Sequence, residues 1–135
     1  MAVSSVTPIP ESAYGHIEMK EERATARTTS EPNATEMAVR EYFKDVPVMV
    51  SIARCESHFR HTLADGSVLR GEKDSADTGV MQINTRYHGQ RALELGLDLQ
   101  SLEDNLAYAR TLYQKQGTKP WNSSAPCWNR TLAKL

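Results

Sequence analysis

After Pro47 the apolar residues Val48, Ile52, Cys55 and Phe59 recur at i, i+4, i+7 and i+11. That spacing puts their side chains on one face of an α-helix. A helix with one apolar stripe has to lay it against other elements, because packing rather than intrinsic propensity supplies most helical stability. Pro47 suits the first turn, where its missing N–H has no intrahelical partner to lose. Cys55 therefore falls inside the buried stripe, and Glu56 falls at its edge, in the helix's last turn.

The remaining sequence surrounds this helix with others. Glu36 to Lys44 reads as a short helix, stopped near Asp45 ahead of Pro47. Residues 62–88 break the helical period: Asp65-Gly66 is a turn signal, and Ser67 to Arg70 and Val80 to Ile83 read as extended. Gln90 to Leu95 reads as a short helix closed by Gly96. Ser101 is placed to cap a last long helix, with Asp104 in its first turn. That helix presents Leu102, Leu106, Ala109 and Tyr113 and stops at Gly117, and Pro120 to Trp128 reads as an irregular closing segment. The expected fold class is α+β, mainly helical, with a small β or irregular region between helices. Residues 1–35 lack a sustained apolar period and hold half the prolines, so a flexible N-terminal arm is expected there, with one domain over 36–135.

The charge balance narrows the partners. Seventeen acids face sixteen bases, a formal net charge of -1, without the basic excess of a nucleic-acid binder. No apolar run approaches the roughly 20 residues that span a bilayer, and no signal-peptide pattern opens the chain.

Two stretches carry candidate chemistry. Glu56 sits in the last turn of the Pro47 helix, where partial burial and the negative end of the helix dipole both disfavour its anion. A carboxyl still protonated near neutral pH is what a general acid requires; an exposed glutamate on a helix flank is the plain alternative. The second stretch runs from Ser75 to Asn84. Gln82 and Asn84 alternate with Met81 and Ile83, so on a strand two amides would face one side, able to bind a hydroxyl-rich ligand. Asp77 is either a second carboxylate or a turn-capping residue. Cys55 and Cys127 allow a disulfide, a metal site or two free thiols. Cys55, His58, His61 and Cys127 make a zinc set on paper, but His61 at i+6 leaves the shared face and Cys127 has no near partner; the two histidines read as solvated or groove-lining. Asp65-Gly66-Ser67 lacks the spaced acids of a calcium loop. Trp128 reads as core, and Trp121 as either core or a sugar-stacking platform.

Ile52-Ala53-Arg54-Cys55-Glu56-Ser57, then Gly79-Val80-Met81-Gln82-Ile83-Asn84, then Asn105-Leu106-Ala107-Tyr108-Ala109 resembles, in that order, the lysozyme-like lytic transglycosylases. The resemblance covers roughly residues 36–128. Cys55-Glu56-Ser57 early, with Gln116-Gly117, Trp121 and Cys127 late, resembles the resuscitation-promoting factors of the same superfamily. Ser75-Ala76-Asp77-Thr78-Gly79 through Thr85-Arg86 is similar to the animal-lysozyme loop that carries a second catalytic carboxylate. These resemblances imply a lysozyme-like catalytic domain that cleaves the β-1,4 bond between N-acetylmuramic acid and N-acetylglucosamine in peptidoglycan. They make Glu56 the acid, give Asp77 a catalytic part in a hydrolase, and put Ser57, Gln82, Asn84, Tyr108 and Trp121 along the substrate. They also imply a Cys55–Cys127 disulfide and an extracytoplasmic location, with glycan strands as the partner. No cofactor, metal, nucleic acid or membrane span is expected, and a monomer is. The late Ala-Tyr-Asn-Ala-Gly motif common among transglycosylases is missing here, which leaves Tyr108 as the candidate for its tyrosine.

Overall fold

The computed structural model describes residues 32–133. Most of the arm expected over 1–35 lies outside those residues. The chain runs α1 (Pro32–Tyr42), α2 (Pro47–Ser57), β1 (Asp77–Thr78), β2 (Ile83–Asn84), α3 (Thr85–Glu94), α4 (Leu102–Gln116), a 3-10 turn (Lys119–Ser124) and α5 (Ala125–Ala133). The fold is α+β and mainly helical, as expected. Its sheet is one antiparallel pair, Asp77 opposite Asn84 and Thr78 opposite Ile83. Single bridges, Thr62–Val68 and Arg70–Thr78, tie the preceding loop to it.

α1 opens at Pro32, earlier than the Glu36 start read from sequence, and ends at Tyr42 rather than Lys44. α2 begins with Pro47 in its first turn and stops after Ser57, where His58 takes a left-handed conformation (φ 55°). Phe59 is left-handed as well (φ 61°). The chain thus turns sharply just beyond Glu56, and Phe59 reaches the core from outside the helix. Met49, Ile52 and Ala53 form the buried face, while Val48 is only half-buried. They pack with Val39, Phe43, Val80, Met81, Leu106, Ala109 and Trp128 in one continuous core.

Other expectations are corrected as well. α3 begins at Thr85 rather than Gln90, because the Asn84 side chain accepts a hydrogen bond from the Arg86 backbone N–H and caps the helix. The segment after Gly117 is not irregular. Pro120 falls in the first turn of the 3-10 segment, and Pro126 in the first turn of α5, positions where proline costs no hydrogen bond. Ser101 caps α4 as read, accepting from the Asp104 N–H.

The turn between the two strands is held from both sides by buried polar groups. The Asn105 amide donates to the Thr78 carbonyl at 3.0 Å and the Leu99 carbonyl at 2.8 Å. Its oxygen accepts from the Met81 N–H at 3.0 Å. His61, expected to be solvated or groove-lining, is instead buried. Its Nδ1 accepts from the Val80 N–H at 3.0 Å, so Nε2 carries the proton and donates to the Gln100 carbonyl at 2.7 Å. Burial also lowers the pKa of His61, which favours this neutral ring. Gly79 lies between the two: φ is +77°, and a Cβ there would sit 2.5 Å from the Asn105 amide nitrogen and 2.6 Å from the His61 ring. Replacing Asn105 with Ala strands three buried backbone groups at once. With a buried unsatisfied group costing about 1–3 kcal/mol, and water re-pairing some, the expected loss is about 3 kcal/mol in denaturant unfolding. A loss below about 1 kcal/mol would mean that Asn105 does not hold the turn.

Candidate functional site

The turn matters because it carries one wall of a cleft whose other wall is the end of α2. The cleft has a volume of about 590 Å³ and is lined by Glu56, His58 and Ser123 on one side and by Arg70, Asp77 and Gln82 on the other. Asp77 and Gln82 also line a second groove of about 280 Å³, with Asn84, Tyr87, His88 and Trp121. The two depressions adjoin at Asp77 and Gln82 and together make a trough.

Glu56 is half-buried and lines the larger cleft. Burial raises its pKa above the ordinary carboxyl value of 4.5, and the nearby negative charge of Asp77 pushes the same way. The opposing influence is Ser124, whose hydroxyl donates to Glu56 Oε2 at 2.7 Å. Ser124 is itself placed by its neighbours. Its oxygen accepts from Trp128 Nε1 at 3.1 Å, and its hydroxyl also lies 3.1 Å from the Trp121 carbonyl. One hydroxyl proton and two acceptors in reach make Ser124 a rotor. With Glu56 ionised, the proton points to the carboxylate. With Glu56 protonated, the serine oxygen accepts and its own proton turns to Trp121. The trough thus holds a carboxyl whose pKa is raised by burial, with a partner satisfied in either protonation state. Such a group can give a proton to a bound atom and take it back.

Asp77 faces the same cleft from β1. Its Oδ1 accepts from Asn84 Nδ2 at 2.9 Å, and that amide also donates to Asp74 Oδ2 at 3.0 Å. Arg86 forms an ion pair with Asp74 behind them. Gln82 does not lie on a strand: it occupies the turn with φ +52°, and its Nε2 donates to the Gly79 carbonyl at 3.0 Å. It faces the trough all the same, beside Asn84, while Met81 and Ile83 are buried.

Three of the expected binding residues are placed differently. Ser57 borders the cleft, but it is 1% exposed and donates back to the Ala53 carbonyl at 3.0 Å, so its hydroxyl serves its own helix. Tyr108 is 2% exposed and stands behind the groove. Its hydroxyl lies 3.0 Å from His88 Nδ1, and it is His88 that reaches the groove. Trp121 settles as core with one edge on the groove, its indole N–H donating to the Met81 carbonyl at 2.9 Å.

Cys55 and Cys127 form a disulfide across 72 residues. It joins the residue before Glu56 to the residue three after Ser124, fastening the acid to its hydrogen-bond partner. Both sulfurs are thereby withheld from the paper zinc set, and among the described residues no cluster of His, Cys, Asp or Glu is arranged to hold a metal ion. No helix among them is long and apolar enough to cross a membrane. Ser124, Trp128 and His88 are site residues that sequence reasoning missed. The one signal for Ser124 was its place three residues before Cys127. Compared with known proteins, the chain matches no family model, no curated protein and no solved structure.

Proposed function

We propose that this protein cleaves the β-1,4 glycosidic bond between N-acetylmuramic acid and N-acetylglucosamine in peptidoglycan, with Glu56 as the general acid. The supporting observation is a carboxyl that lines an open trough and whose pKa is raised by burial. The motif resemblance supplies the substrate. The trough suits a polysaccharide: the amides of Gln82 and Asn84 and the rings of Tyr87 and His88 line it.

Glu56 protonates the bridging oxygen as the C1–O bond breaks and C1 gains oxocarbenium character. In the leading reading, a lytic transglycosylase, the resulting Glu56 carboxylate takes the proton of the muramoyl 6-hydroxyl. That oxygen closes onto C1, giving a 1,6-anhydro end. Ser124 donates to Glu56 Oε2, steadying the carboxylate that forms when the proton leaves for the bridging oxygen and that then acts as base. In the second reading, a retaining lysozyme-type hydrolase, Asp77 attacks or stabilises C1 and water completes the reaction. The specific observation favouring it is that Asp77 faces the same cleft and its charge reaches Glu56. Mass spectrometry of fragments released from purified peptidoglycan separates the two: anhydro ends for the transglycosylase, ends one water heavier for the hydrolase. Wild-type protein that releases no fragments contradicts both. The disulfide also fits an oxidising, extracytoplasmic setting, which is where this polymer lies.

Ser124 gives a second test. Its hydroxyl stabilises the ionised form of Glu56, so Ser124→Ala raises the Glu56 pKa further. A general acid works while protonated, so the alkaline limb of the pH–rate profile moves to higher pH in the variant. An unmoved limb, or one at lower pH, would detach Ser124 from the acid.

A further inference from the structure

The two halves of the trough differ in chemistry. The half beyond Gln82 is built from rings and amides, suited to the faces and hydroxyls of uncharged sugars. The half around Glu56 carries Arg60, Arg70 and Lys73 on its wall. Four arginines elsewhere on the molecule, Arg40, Arg86, Arg91 and Arg110, each pair with a carboxylate, while Arg54 and Arg130, also away from the cleft, do not among the described residues. Arg60, Arg70 and Lys73 have no carboxylate within ion-pair distance among the described residues, even though Glu72 shares their wall.

Two of these cations are also aimed. Arg60 donates through Nε to the Ser57 carbonyl at 3.0 Å, and Arg70 through Nη1 to Thr78 Oγ1 at 3.0 Å. Each anchor uses one N–H of the guanidinium and leaves the others for the cleft. Positioned guanidinium groups without an internal anion suit carboxylates. A strand of neutral sugars offers none.

Resting on the glycan reading above, we infer that Arg60, Arg70 and Lys73 bind a carboxylate carried on the 3-position of the muramoyl residue beside the scissile bond. On a peptide-free strand that group is the lactyl carboxylate. On a peptide-bearing strand the lactyl group is amidated, and the carboxylates are those of the stem peptide.

The test is calorimetric titration of the full chain carrying Glu56→Gln, which prevents turnover. The probes are an N-acetylglucosamine tetrasaccharide, a peptide-free muramoyl-containing tetrasaccharide and its peptide-bearing counterpart. At low salt one or both carboxylate-bearing probes bind about tenfold tighter than the neutral one, and the margin shrinks as salt screens the charges. Adding Arg60→Gln, Arg70→Gln and Lys73→Gln removes the margin between the carboxylate-bearing probes and the neutral one. Lys73→Gln alone, at an exposed position with no internal hydrogen bond to lose, narrows it and guards against a folding defect in the triple variant. A margin confined to the peptide-bearing probe identifies the stem peptide as the source, and one shared with the peptide-free probe identifies the lactyl group. Equal binding of all three probes, or a margin that survives the triple variant, overturns this inference and leaves the glycan reading standing. Binding of none overturns the glycan reading itself.

Discussion

Glu56→Gln abolishes clearing of purified peptidoglycan, by about a thousandfold or more, and leaves the fold intact. Gln is nearly isosteric, and its amide oxygen still accepts the Ser124 hydroxyl, so the trough keeps its shape and loses only the transferable proton. General acid catalysis contributes about 10²–10⁴-fold, and the same side chain is asked to act as base in the second half of the reaction. The variant also carries a stability signature that mere structural damage would not give. Burial and Asp77 raise the Glu56 pKa in the folded protein above the ordinary 4.5. Between the ordinary and the raised value the native state holds a proton that the unfolded chain has lost. Wild-type stability therefore falls as pH rises through that interval. Gln has no proton to lose, so Glu56→Gln is more stable than wild type at neutral pH and matches it in acid. Denaturant melts at the two pH values check this, and clearing at an undiminished rate would remove Glu56 from the mechanism.

Removing the disulfide with Cys55→Ala and Cys127→Ala lowers stability by about 4 kcal/mol. The link closes a loop of 72 residues, and the loop-entropy relation gives about that figure for the freedom returned to the unfolded chain. For roughly 100 ordered residues this lowers the melting temperature by about 15 °C or more. The loss is also local: α5 carries Ser124's neighbour Trp128 and is fastened to α2 beside Glu56, so the Glu56–Ser124 contact loosens with the link. Thermal melts of the double variant, or of wild type with and without reductant, provide the check. A shift of only a few degrees would mean that packing of α5 on α2 holds the site unaided.

The sequence was legible where physics is local. Pro47 and the stripe behind it mark α2, Ser101 and Gly117 bracket α4, and the position of Glu56 at the end of an apolar face foretells a carboxyl in partly buried surroundings. It was misleading where a residue does two jobs. Asn84 was read only as a groove amide, yet it also caps α3 and holds Asp77. Pro120 and Pro126 look like breakers and instead open helical turns. It was silent where contacts are distant. Ser124 reaches Glu56 across 68 residues, and His61 and Asn105 meet at Gly79 from separate parts of the chain. No spacing rule joins such positions. Tyr108 shows the same limit: its place on α4 was readable, but not that its hydroxyl would turn to His88 rather than to the trough.

The most direct measurement is the titration of the Glu56 side-chain carboxyl carbon by NMR, with Glu56→Gln identifying the resonance. The account predicts a midpoint above the usual range for glutamate, displaced upward again in Ser124→Ala. A midpoint at or below that of a solvated glutamate would leave the trough without a proton to give, and would contradict the mechanism proposed for it.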